Sequence, residues 1–106
     1  MSQVVLLMCN APNLACARAI AMRLVESRTA ACVNIGAVVE SVYRWRGAIE
    51  SASEVPMVIK TVDANAQQVE SIILELHPYE LPEIIVLPLH GGLPAYLDWV
   101  RAETTN

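Results

Sequence analysis

The stretch from residue 31 to residue 62 restricts the fold of this chain more than any other. Residues 31–35 and 38–45 are extended and largely apolar on either side of Gly36, Arg46-Gly47 supplies a tight turn, and residues 49–62 return as a second arm. Val39, Tyr43 and Trp45 share one face of the first arm at the period of two that a strand imposes. Gly36 marks a bend or bulge. At roughly 3.3 Å per residue, an arm of about 15 residues reaches about 50 Å. A compact domain of this length has a radius of gyration of only about 13 Å. The hairpin must therefore overhang the domain, bend, or pair outside its own subunit.

The flanking segments supply what such a hairpin packs against. Residues 4–8 read as a buried strand, and Pro12 suits the first turn of a helix that runs to about Arg28 with Leu14, Ala17, Ala21, Leu24 and Val25 on its apolar stripe. Asp63 caps a second helix in which Val69, Ile72, Ile73 and Leu76 repeat at helical spacing until His77-Pro78 stops it. Residues 77–83 form a stiff, proline-interrupted loop, and residues 84–89 a last strand that Pro88 confines to a sheet edge. Gly91-Gly92 turns the chain into a short helix beginning at Pro94.

The 106 residues thus make a single domain, 1–106, of α+β class: a ferredoxin-like βαββαβ sandwich with an extra C-terminal helix. Two helices cover one sheet face. Val39, Tyr43, Trp45, Met57 and Ile59 are expected on the other, where they are too apolar to face water. Pro56 sits mid-strand and is tolerable only at a bulge or in the overhang.

Apolar residues are 55 % of the chain and charged residues 17 %, a surplus over core needs that points to subunit interfaces. The net charge of -4, with no basic run, disfavours nucleic acid. Apolar runs such as residues 84–89 fall far short of the roughly 20 residues of a membrane span. No basic residue precedes Arg18 as a secretory leader would require, so a cytoplasmic protein is expected. Cys9, Cys16 and Cys32 are an odd set without close pairing and read as reduced thiols.

Those thiols, with His77 and His90, are donors suited to copper or zinc, although no CxxC or HxxxH spacing is present. Cys32, in an apolar run, reads as a packed thiol more readily than as a nucleophile. Glu80 and Glu83 flank Pro82 and are either exposed acids or a carboxylate pair for acid–base work. The aromatic residues Tyr43, Trp45, Tyr79, Tyr96 and Trp99 all carry polar handles, and no Phe is present, which favours interfaces or a cleft rim. Lys60 lies inside an apolar strand and needs a partner if buried; Glu54, Glu80 or Glu83 could supply it.

Six segments in order carry a further signal: Leu24-Val25-Glu26 leading to Ala30-Ala31-Cys32-Val33-Asn34, Ser41-Val42-Tyr43-Arg44-Trp45-Arg46-Gly47, Ser53-Glu54-Val55, Ile59-Lys60-Thr61, His77-Pro78-Tyr79-Glu80 with Pro82-Glu83-Ile84, and Pro94-Ala95-Tyr96-Leu97-Asp98-Trp99. Together they resemble the CutA divalent-cation tolerance family along nearly the whole chain. The resemblance implies a ferredoxin-like subunit in a tight homotrimer, a link to tolerance of copper and other divalent metals, and an architecture similar to the trimeric PII signalling proteins, whose ligands sit between subunits. It implies Cu(II) or another divalent metal held by Cys9 and His77, with Leu76 standing where a second His is proposed in the family. The cleft residues it implies are Cys32, Tyr43, Trp45, Lys60, Tyr79, Glu80, Glu83, Tyr96 and Trp99, beside His77. The expected function is therefore binding of a metal ion or small ligand between subunits without catalysis or an organic cofactor. The alternative is a trimeric assembly scaffold.

Overall fold

Strands and helices follow the sequence pattern: β1 (Val4–Ala11), α1 (Leu14–Glu26), β2 (Cys32–Ile35), β3 (Val39–Trp45), β4 (Ala48–Val62), α2 (Ala66–Leu76), β5 (Ile85–Pro88) and α3 (Pro94–Glu103). The structure, a computed structural model, describes residues 2–105. Helix α1 starts one step later than the proline suggests. The Asn13 side chain caps it by accepting the Cys16 amide at 2.8 Å, so Pro12 lies before the cap and not in the first turn. Its buried stripe is Ala17, Ile20 and Leu24, whereas Leu14 and Val25 are exposed. A 3-10 turn, Asp63–Asn65, leads into α2, with Asp63 Oδ1 accepting the Ala64 amide. His77 ends α2 in extended conformation ahead of Pro78.

The antiparallel sheet has the order β2-β4-β1-β5, and β3 pairs with the outer half of β4. Val5, Leu7 and Cys9 of β1 and Val55, Met57 and Ile59 of β4 face α1 and α2 and form the core with Ile20, Leu24, Val69 and Ile73. Helix α3 crosses a corner of the opposite face, where Val100 packs on Val4 and Val62. Among the described residues, no helix covers the rest of that face.

Register explains which hairpin residues face where. Arg46 and Gly47 both have positive φ, 50° and 83°, the pattern of a two-residue type I′ turn, and Trp45 pairs with Ala48 across it. Odd-numbered residues of β3 therefore oppose even-numbered residues of β4: Tyr43 faces Glu50, and Val39 faces Glu54. Val39, Tyr43 and Trp45 do share a face, but Met57 and Ile59 do not join them. Those two lie under the helices, 1 % and 0 % exposed, which corrects their expected place on the open face.

The first arm is broken at Gly36, as its glycine suggests. Ile35 pairs with Met57 and Val39 with Glu54, so four steps of chain match three on β4, one residue more than the partner. The Gly36 amide donates to the Pro56 carbonyl at 2.9 Å. A strand residue directs its nitrogen and its carbonyl to the same side, so the missing proton of Pro56 falls at this break while its Asn10 pairing on β1 keeps the ladder.

The overhang is also present. Strand β4 runs for 15 residues and the molecule measures 44 × 27 × 23 Å. Strand β1 accompanies β4 only as far as Val55, so the outer edge of residues 48–54 has no strand beside it among the described residues. Val42 and Ile49, paired through neighbours on the far face of the ribbon, are 68 % and 69 % exposed.

Candidate functional site

A cleft of about 720 Å³ lies where the base of the hairpin meets the loop that follows α2. Alternation along β3 and β4 sends Tyr43, Trp45, Glu50 and Glu54 to the helix-free side of the ribbon, and Asn10 of β1 adjoins them. Pro78, Tyr79, Glu80 and Glu83 form the opposing wall.

His77 fixes that wall. Its ring is buried, and Nε2 lies 2.7 Å from the Asn10 carbonyl, which can only accept, so this nitrogen carries the proton. Nδ1 then accepts the Tyr79 amide at 3.2 Å. The Tyr79 ring packs edge-on against the imidazole, 4.6 Å between centroids. Burial, and next the Glu54 carboxylate, raise the Tyr79 hydroxyl above the usual phenol range. Glu54 itself is 9 % exposed and forms no ion pair among the described residues.

At the mouth, Arg46 reaches from the hairpin turn to Glu80 at 2.6 Å, and its guanidinium lies 5.1 Å from the centre of the Trp45 ring. Glu83 accepts from the Asn10 amide nitrogen at 3.3 Å. Glu80 and Glu83 thus have separate partners, Arg46 and Asn10, and do not form the acid–base pair that their spacing allows.

Five of the expected cleft residues meet here: Tyr43, Trp45, Tyr79, Glu80 and Glu83. Cys32, Lys60, Tyr96 and Trp99 do not line this cleft. Cys32 pairs with Lys60 in register, Lys60 Nζ lies 5.6 Å over the Tyr96 ring, and Tyr96 stacks at a tilt on Trp99. Lys60 is six residues along β4 from Glu54, about 20 Å at roughly 3.3 Å per residue. Its partner is an aromatic face and not the carboxylate expected. Sequence reasoning did not place Asn10 and Glu50 in the cleft and took Glu54 only as a partner for Lys60. An acid between Ser53 and Val55 in a strand was the available signal.

The expected soft-metal pair has a different setting. Cys9 is 1 % exposed in the core, and burial, then Glu83, push its thiol from 9.0 up to about 12. Both ring nitrogens of His77 are already engaged, which leaves no lone pair free for a metal. Cys16 Sγ sits 3.9 Å from the Leu76 carbonyl, and burial raises its thiol too. Among the described residues no group of three or more His, Cys, Asp or Glu side chains converges to hold a metal ion. Cys9 and His77 as arranged do not fit a preformed copper site.

The model of the CutA1 divalent ion tolerance protein family matches residues 5–103. The divalent-cation tolerance protein CutA of Pectobacterium atrosepticum is 42 % identical over 98 residues, 92 % of this chain and 89 % of that one. Protein CutA of Mus musculus is 44 % identical over 95 residues, 90 % of this chain, which spans about half of that longer relative, 54 %. The crystal structure of CutA from Xylella fastidiosa superposes with a TM-score of 0.94 at 38 % identity, covering 98 % of this chain and 100 % of that one.

Proposed function

The chain belongs to the CutA1 divalent ion tolerance family, and from that premise we propose that it acts as a cytoplasmic homotrimer that binds a positively charged ligand in the acidic cleft, at the junction between copies. Catalysis is no part of this role. The observation that carries the assembly is the overhang: a ribbon whose outer edge is unpaired over residues 48–54 among the described residues and whose Val42 and Ile49 are two-thirds exposed. Such an edge is a template for another strand, and such side chains are stable only when covered. A second copy of the same chain is the available complement.

The sign of the ligand follows from the lining. Four carboxylates, Glu50, Glu54, Glu80 and Glu83, border the cleft. Arg44 also borders the cleft, from a position that pairs with Ile49, and Arg46 is held at the mouth by Glu80, so carboxylates outnumber cations in the lining four to one. A cation gains from that field and an anion is repelled by it. Ligand occupancy at a junction between copies would also change how the copies fit together, which is the basis for a signalling role of the PII kind.

Sedimentation equilibrium at micromolar concentration tests the assembly, with a three-copy mass expected; a single-copy particle overturns it. Calorimetric titration with Zn(II) and Cu(II) tests the ligand site. Binding weakened in Glu54→Gln and unchanged in Cys9→Ser is expected, and the reverse pattern returns the site to Cys9 and His77. No heat with either ion removes a metal ion as the occupant of the cleft.

A further inference from the structure

We infer that the cleft takes an elongated organic polycation, a linear aliphatic oligoamine, rather than a bare metal ion. This rests on the reading of the cleft as cation-binding and names the ligand class. Size comes first. Glu50 and Glu54 are four residues apart on one strand face, about 13 Å at roughly 3.3 Å per residue. The oxygen donors of a Ca²⁺ ion all lie within about 2.6 Å of it and those of Mg²⁺ closer still. One such ion reaches one of these carboxylates, whereas a chain of methylenes with an ammonium at each end spans both.

The walls beside the carboxylates are of the matching kind. Tyr43 is the cross-strand partner of Glu50, and the Tyr79 hydroxyl lies beside Glu54; ring faces attract ammonium groups while packing against methylenes. The molecule already shows an organic cation in this setting. The Arg46 guanidinium rests on Trp45 and bonds to Glu80, and it occupies the mouth and not the interior. The interior keeps Glu54, a carboxylate nine-tenths buried with no cation beside it among the described residues. The Tyr79 hydroxyl is its neighbour there, and a carboxylate so placed gains further from a cation.

Spermidine is the probe. The chain has two tryptophans, so the Trp99→Phe variant of the full-length protein leaves Trp45 as its sole indole reporter. Spermidine is expected to change the Trp45 emission saturably. Glu54→Gln should weaken the binding roughly tenfold, as loss of a charge-assisted hydrogen bond does. Glu50→Gln, at an exposed site that folding does not need, should weaken it as well, and propylamine should bind far more weakly than spermidine. Glu70→Gln, on exposed helix surface, should leave it unchanged. Absence of a saturable signal overturns the inference, and so does an equal loss in Glu70→Gln, which would mark diffuse surface attraction. Stronger binding of Zn(II) than of spermidine through Glu54 overturns the ligand class while leaving the cation cleft in place.

Discussion

At Cys9 the same atom that a soft metal seeks is also the one the core needs kept neutral. Its thiol is raised to about 12, so almost none of it is thiolate at pH 8. Alkylation by iodoacetamide at that pH should label half-buried Cys32 first and leave Cys9 unmodified until the protein unfolds, as mass spectrometry of the peptides would show. Equal rates at the two cysteines would contradict this placement. The same shift gives stability a pH slope. Between about 9 and about 12 the unfolded chain has lost the Cys9 proton while the folded one retains it. Stability is therefore complete below pH 9 and falls as pH rises through that window. Urea melts at pH 8 and pH 10 should show the fall, and Cys9→Val should flatten it. At His77 the two ring nitrogens tie the loop to β1, so His77→Leu should cost about 1–3 kcal/mol by leaving the Asn10 carbonyl and the Tyr79 amide without partners.

Among the elements, the break between β2 and β3 carries the clearest test. A Cβ on Gly36 would stand 3.0 Å from Pro56 Cγ, so tight that the proline ring must give way by a few tenths of an ångström. Gly36→Ala should destabilise by about 1–2 kcal/mol in urea melts. In a Pro56→Ala background the same change should cost little, a coupling that a double-mutant cycle measures. Full additivity would show that the two residues do not press on each other. The hairpin, its Arg46-Gly47 turn, the Gly36 break, both main helices and the Pro88 edge strand were legible because each depends on short-range pattern. The facing of Met57 and Ile59 was not, since it depends on how a two-residue turn and one extra residue set the register between arms. The site divides in the same way. Tyr43 with Trp45, and Tyr79 with Glu80 and Glu83, are local to one ribbon and one loop, which fold onto each other. Cys32, Lys60, Tyr96 and Trp99 form a separate group because strand length carries Lys60 some 20 Å from Glu54, at roughly 3.3 Å per residue. Asn10 enters the cleft only through β1–β4 pairing, which no local motif announces.

For the whole molecule, a core built under two helices coexists with a ribbon that the core does not cover. The core is self-contained: Leu7, Ile20, Leu24, Ile59 and Ile73 are all fully buried within one chain. The ribbon is not, with Val38, Val42 and Ile49 between 66 % and 69 % exposed. Assembly and folding should therefore separate under mutation. Val42→Glu with Ile49→Lys places an opposite-charge pair on the far face of the ribbon, where it is harmless in water and costly inside an interface. Covering each native side chain contributes about 1.5–3 kcal/mol relative to exposure. Losing both in every copy should weaken association at least a hundredfold, because 1.4 kcal/mol is tenfold. Sedimentation of this double variant should show a lighter particle at concentrations where the parent is fully assembled. Its circular dichroism should retain the helices of the parent, since neither residue belongs to the core packed under α1 and α2. An unchanged mass would mean that the ribbon is exposed in the working protein and that copies meet elsewhere. A lost helical signal would mean that the core needs its neighbours to form.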